Sequence, residues 1–313
     1  AKALRPARDT CEKCHQPETF SGDSLRVLTR FDDDLNNTQS SIYLLLKTGG
    51  GAKRDGLGRG IHWHIVNKVD YYATDELSQD IPYVRVYNDD GTTTEYVDVE
   101  AGFDKATMDE SQLKTMDCVT CHNRVTHEFE VPTVSVDEAM ARGLIDPTIP
   151  FIRQKAVDVL AVSYTSREEA FAAFDALESY YINNNTDYYY SHVDQIRSAI
   201  QTLKDIFDRT VFLEQKIDFT THPNNLGHIN SPGCFRCHDG KHLDANDQAI
   251  RLECNVCHSV PVVAGKDDFV TTIEISRGPE PDTHRNPNWI SLHNQAFGAS
   301  CAACHTMEDP GGT

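Results

Sequence analysis

The chain is poor in several of the things an ordinary globular enzyme is made of. Apolar residues fill only 39% of its 313 positions, with 2 tryptophans and 4 methionines. Basic charge is scarce too: 29 Lys and Arg stand against 48 Asp and Glu, a formal net charge of −19. That deficit argues against nucleic acid, because phosphate binding needs clustered cations, and against adsorption on an anionic membrane surface. Long hydrophobic runs are missing. The best, Ile42 to Leu46, falls far short of the ~18 residues of a spanning helix. No signal peptide precedes Ala1, which is the expected start of a chain already processed. Unpaired cysteine is the last thing lacking, and it leads to the strongest signal present.

Ten cysteines fall in five pairs: Cys11/Cys14, Cys118/Cys121, Cys234/Cys237, Cys254/Cys257 and Cys301/Cys304. Two residues separate the members of each pair, and His15, His122, His238, His258 and His305 follow at once. C-x-x-C-H is the attachment signature of c-type haem. Two thiols add to the two vinyl groups of one porphyrin, and the adjacent imidazole becomes the proximal iron ligand. Zinc sites also use paired cysteines, but zinc does not require a histidine after the second one every time. Disulfide scaffolds are small and vary their spacing, and thioredoxin-like redox pairs do not come five to a chain. The expected cofactors are therefore five haem c. Covalent haem attachment takes place outside the cytoplasm, so the expected location is exported, periplasmic or extracellular. Porphyrin faces would replace part of the missing apolar core, and the low hydrophobic fraction is then no sign of disorder.

Nine histidines remain for the far side of each iron. His62 and His64 flank Trp63 in G-I-H-W-H-I, and in an extended segment both would point to one face. His127 and His242 closely follow haem motifs, too close to reach round their own iron and better placed for a neighbouring one. His228 and His293 precede the third and fifth motifs. These six form the candidate distal set; His222, His284 and His192 rank behind them. Methionine is the usual rival ligand. Of Met108, Met116, Met140 and Met307, only Met307, just after His305, competes, while Met140 reads as core.

Three regions follow along the chain. Residues 1–134 hold motifs one and two and a β-hairpin over 81–99 turning at Asp90-Gly91. Residues 135–220 hold no motif and read as helical, with apolar spacing over 150–163, 166–182 and 191–217. Ser135 with Glu138 and Ser166 with Glu169 make capping-box patterns there. These helices are expected to pack against the haem stack, with the Tyr180-Tyr181 and Tyr188 to Tyr190 clusters against porphyrin edges. Residues 221–313 hold motifs three, four and five. The glycine-rich stretch over 48–60 lacks both the P-loop ending and the dinucleotide fingerprint, and reads as a loop that lets backbone approach a haem. The expected fold is mainly α with much irregular loop, built around a haem chain, with one small β-hairpin.

D-C-V-T-C-H-N-R-V-T-H, I-D-P-T-I-P-F-I-R-Q-K-A-V, N-N-L-G-H-I-N-S-P-G-C-F-R-C-H-D-G-K-H and G-I-H-W-H resemble multihaem cytochromes c of the NapC/NirT group. The resemblance covers roughly residues 11–258 and four of the five motifs. It implies bis-histidine haems relaying electrons outside the cytoplasm, often from a membrane quinol pool, with His62 or His64, His127, His228 and His242 as distal ligands. A typical member also carries an N-terminal membrane anchor, which this sequence does not show, and the fifth motif lies beyond the matched region. The expected function is electron transfer through closely spaced haems, as a periplasmic relay or as the subunit of an extracellular filament or complex, and not an enzyme. Expected partners are donor and acceptor cytochromes or a quinol-linked complex, with self-association in the filament case. The alternative is a multihaem reductase of nitrite or hydroxylamine type with one open iron. Pentahaem nitrite reductases typically carry C-x-x-C-K, which is not found here.

Overall fold

A computed structural model of the protein describes residues 7–16, 22–50, 60–125, 129–252, 256–259, 261–268 and 270. His127, Cys254, His284, His293, Cys301, Cys304, His305 and Met307 lie outside the described residues.

Strand β1 (Ser24–Phe31) turns back into β2 (Gln39–Leu46). The Asp34 carboxylate sets the turn by accepting from the Thr38 amide and hydroxyl at 2.8 and 2.6 Å. Asn37, left-handed at φ 47°, is a residue type that tolerates that region. Next come β3 (Val69–Tyr72), β4 (Tyr83–Tyr87), β5 (Thr93–Asp98), β6 (Lys114–Thr115), β7 (His242–Leu243) and β8 (Val262–Gly265). They complete two antiparallel sheets, β1-β2-β8 and β6-β3-β4-β5-β7. The hairpin at Asp90-Gly91 is β4–β5, with Gly91 at φ 82°.

A mainly helical fold is therefore not what forms. Among the described residues helix accounts for 35% and strand for 18%, and the hairpin is one part of a five-stranded sheet. The extra strands are recruited by distant pairing that local periodicity does not register. Tyr43 of β2 lies opposite Val262, and Asp98 of β5 opposite His242. The two-residue strands β6 and β7 exist only because a longer neighbour offers them a ladder.

Three short helices carry motif or histidine residues: α1 (Ala7–Cys11), α2 (Trp63–Val66) and α3 (Cys118–Cys121). The longer ones are consecutive: α4 (Pro132–Ala141), α5 (Ile152–Leu160), α6 (Arg167–Asn184), α7 (Thr186–Ser191) and α8 (Val193–Thr210). Along α8, Ile196, Ala199, Ile200, Leu203, Ile206 and Phe207 are buried at spacings of one, three and four, one apolar stripe. Ser166 caps α6 by accepting from the Glu169 amide, while the Glu169 carboxylate reaches back to Thr165. The other capping pattern does not act as one. Pro132 opens α4 from its first turn, where a missing N–H costs nothing, and Ser135 is buried inside the helix.

These helices form a core of their own around Val136, Ile149, Phe174, Tyr181, Leu203 and Phe207, with Phe31 reaching in from β1. Tyr181 and Tyr189 belong to it, Tyr180 and Tyr188 pack against it, and Tyr190 is exposed. Tyr181 donates to the Pro150 carbonyl at 3.0 Å, and Tyr189 to Glu178 at 2.6 Å. A second core of Val69, Tyr71, Ile81, Val84 and Cys237 lies on the five-stranded sheet, with Trp63 and Met116 packed against it. The thiol of the third motif thus sits on the sheet, not on the long helices.

Candidate metal centres

The first three C-x-x-C-H runs are each wound into a single tight turn. The amide of the histidine donates to the carbonyl of the first cysteine: His15 to Cys11 at 2.8 Å, His122 to Cys118 at 2.8 Å, His238 to Cys234 at 3.1 Å. That bond is why two spacer residues and an adjacent histidine are needed, since one turn brings thiols and imidazole to one side. The second turn is capped by Asp117, which accepts from the Val119 and Thr120 amides while the Thr120 hydroxyl accepts from the Asp117 amide. The third is opened by Gly233 at φ 50°, where a Cβ would lie 1.6 Å from the Gly227 carbonyl oxygen. Only glycine fits there.

The turns lie within electrostatic reach of one another. Cys11 interacts with Cys118, His15 with His122, Cys121 with Cys234, and Cys234 with Cys257. No described cysteine is in a disulfide. Burial pushes the Cys121 and Cys257 thiols up to about 11 and Cys237 up to about 12, the opposite of a reactive redox cysteine.

Cys14 departs from this pattern. It is exposed, whereas Cys11, Cys118, Cys121, Cys234 and Cys257 are partly covered and Cys237 is buried. The cause lies in its helix. α1 is five residues long, buries none of them, and ends at Cys11. Cys11 meets Cys118 of α3; Cys14 comes after the helix, held by its own amide to the Cys11 carbonyl at 3.1 Å. Cys14, like His15, stands exposed to solvent.

Three of the motif histidines face a second imidazole from elsewhere in the chain. His62 and His122 stand 6.4 Å apart between ring centres with planes at 5°. His64 and His238 are 5.7 Å apart at 83°, and His228 and His258 are 6.2 Å apart at 23°. Two iron–nitrogen bonds of ~2 Å, with ~1 Å from each nitrogen to its ring centre, set two axial imidazoles ~6 Å apart. Burial lowers the pKa of His64, His122 and His228 and takes His238 down to about 4. Neutral rings keep a lone pair free for a metal.

Backbone carbonyls fix the tautomers. Nδ1 of His62 donates to Thr48 at 2.5 Å, of His64 to Ile61 at 2.7 Å, of His238 to Arg251 at 2.5 Å and of His258 to Ser259 at 2.6 Å. Each bond leaves Nε2 for the metal, the usual outer-shell arrangement. The strand β2 is the bracket for two of these centres. Past its end, the Thr48 carbonyl holds His62, while the Lys47 amide donates to the Cys257 carbonyl at 2.8 Å. Glycine admits the chain here as well: a Cβ on Gly60 would meet the Gly49 and Lys47 carbonyl oxygens at 2.1 and 2.6 Å.

His62 and His64 do not share a face. His64 lies in α2, and a helical turn places residues two apart ~200° round the axis, so each meets a different motif. His242, expected as a distal ligand, is also placed otherwise. Its ring is 1% exposed, with Nδ1 on Asp239 at 2.9 Å and Nε2 on the Ile81 carbonyl at 2.6 Å. Burial alone would lower its pKa, but the Asp239 carboxylate and the Ile81 carbonyl raise it. Both of its ring nitrogens are thus engaged in hydrogen bonds. His192 lies on the helical unit against Tyr188, and His222 packs near Phe129. For His15 the described residues supply no second ring at axial distance.

The cavity beside the third motif has a volume of about 680 Å³ and is lined by Cys234, Cys237, His64, His238, Trp63 and Val84, among others. Two thiols, two facing imidazoles and apolar walls are the donor set and surface that a covalently held porphyrin requires, so the residues present fit haem c.

No family model matches the sequence, and no solved structure matches it. The chain is similar to a cytochrome c-type protein, ImcH of Geobacter sulfurreducens. That likeness supports a c-type cytochrome. The two are 38% identical over 312 residues, which make up 99% of this chain. The chain spans 60% of the length of that curated relative. No described helix is long and apolar enough to cross a membrane.

Proposed function

We propose that the chain is an exported multihaem electron carrier, with one haem c on each of its five C-x-x-C-H motifs. The observation that carries this reading is the set of three facing imidazole pairs, each joining a motif histidine to a remote one. On that reading His122, His238 and His258 are proximal ligands, with His62, His64 and His228 as their distal partners. His15 and His305 are the remaining proximal ligands, and His127 and His293 the remaining distal candidates. With Cys14 exposed, the first haem would hang from Cys11 on its inner edge and from Cys14 at the solvent edge. Haem supplies a one-electron couple. The chain's residues would set its potential and its position: the paired cysteines by thioether links, the imidazoles of the three facing pairs as ligands, and the carbonyls that fix each ring. An iron held on both sides offers no place for substrate, which favours electron transfer over a reductase. The first four motifs lie within electrostatic reach of one another, from Cys11 with Cys118 through to Cys234 with Cys257, which supports a path along them to donor and acceptor redox proteins.

The test uses the purified holoprotein. Haem stoichiometry by pyridine haemochrome and intact mass should give five per chain, and the ferric irons of the three pairs should stay low-spin when cyanide is added. Fewer haems would refute the count. Cyanide binding at any of the three pairs would reopen the reductase reading.

A further inference from the structure

Arg236 sits inside the third motif, as the second spacer residue of C-F-R-C-H. It is 8% exposed. Its Nε donates to the Gly233 carbonyl at 2.8 Å, and its two terminal nitrogens donate to the Ser78 and Thr120 carbonyls at 2.7 and 3.1 Å. Thr120 is the matching spacer residue of the second motif, C-V-T-C-H. The guanidinium therefore lies between two adjacent motifs, and it acts electrostatically on Cys121 of one and on Cys234 and Cys237 of the other. All three of its hydrogen bonds go to backbone carbonyls, none to a carboxylate.

Such a placement is costly for structure alone. Arginine stays charged in any protein environment, and a buried cation bonded only to carbonyls recovers little of its lost hydration. Asn225 already ties the same Thr120 carbonyl with a neutral amide at 3.0 Å, so the tie between motifs does not need a charge. What a buried positive charge with no carboxylate bonded to it does supply is a field that favours an added electron nearby, set against the carboxylates of Asp117 and Asp239, which act on Cys121 and Cys237 in the opposite sense.

We propose that Arg236 is an electrostatic tuning residue that raises the reduction potentials of the haems at the second and third motifs together. The inference rests on the haem reading above and goes beyond it by assigning a role to a residue that touches no iron. Reduction of a ferric haem adds one negative charge; the fixed cation stabilises that product without taking up a proton or an electron itself.

The experiment is a potentiometric titration of holoprotein followed by optical and EPR spectra, on wild type, Arg236→Gln and Arg236→Lys. Arg236→Gln should weaken reduction of two haems, each by about tenfold in its reduced-to-oxidised ratio, which is ~59 mV for a one-electron couple. Arg236→Lys should keep most of the wild-type values. Unchanged potentials in Arg236→Gln, or an equal fall in Arg236→Lys, would overturn the proposal. Failure of the haem reading looks different: the peptides bearing Cys118/Cys121 and Cys234/Cys237 would then lack the haem mass in wild type.

Discussion

Replacing His64 by alanine removes one imidazole from one of the three facing pairs and leaves His62, two residues away, where it was. The expected size of the effect follows from the geometry. In a ferric haem with two axial imidazoles the odd electron occupies a pair of iron d orbitals whose splitting depends on the angle between the ring planes. Parallel rings act on the same orbital and split the pair, giving a rhombic low-spin signal. Crossed rings act on one orbital each and leave the pair nearly degenerate, giving a strongly anisotropic signal. Planes at 5° and 23° for His62–His122 and His228–His258 therefore predict two rhombic signals, and 83° for His64–His238 predicts the anisotropic one. His64→Ala should abolish the anisotropic signal, add high-spin iron equivalent to one haem over wild type, and let that added high-spin iron bind cyanide. His64→Met should instead keep it low-spin and raise its potential, as methionine ligation does. The assay is low-temperature EPR of the oxidised protein with spin quantification. Loss of a rhombic signal in place of the anisotropic one would show that His64 serves another iron, and no high-spin iron would show that it serves none.

Further outcomes test the scaffold. Phe174, fully buried against Phe207 at 5.6 Å and Tyr164 at 5.8 Å, should cost ~3–5 kcal/mol when cut to alanine, read as a lower urea midpoint; a loss under ~1 kcal/mol would mean the helical core repacks freely. Asp117→Ala removes the cap of the second motif's turn and should cost ~1 kcal/mol, measured by thermal melting; no change would show that the attachment bonds hold the turn alone. His242→Gln should change the pH profile of stability. A histidine whose folded pKa is raised stabilises fully below its unfolded value of ~6.5 and loses that stability as pH rises through the folded value. The gap between wild type and variant in urea should therefore be widest at acid pH and narrow toward alkaline pH; a gap that widens with pH would show that His242 is held neutral.

Some of this is decided by sequence alone. Covalent chemistry is local: two thiols and an imidazole must come from one turn, so the proposed attachment sites can be read from C-x-x-C-H alone. How far each thiol is shielded is not local, as Cys14 and Cys237 show from the same position in identical motifs. The apolar stripe of α8 and the cap of Ser166 belong to the local kind, and the helices lie near the spans their spacing predicts. α8 ends at Thr210 rather than 217 because Phe212 pairs with Ile217 instead of continuing the helix. The second imidazole of each pair is a different matter. In sequence His242 is as good a candidate as His228, and only the fold shows Asp239 and Ile81 taking both its nitrogens. His62 and His64 have the spacing of one strand face, and α2 turns them apart. The carbonyls of Thr48, Ile61, Arg251 and Ser259 that set the tautomers carry no sequence signal at all, since every residue has one. Strand content is hidden for the same reason: β2 meets β8 more than two hundred residues away. Attachment is written residue by residue; axial pairing, sheet formation and the buried charge of Arg236 depend on which distant segments meet, and only the tertiary structure decides that.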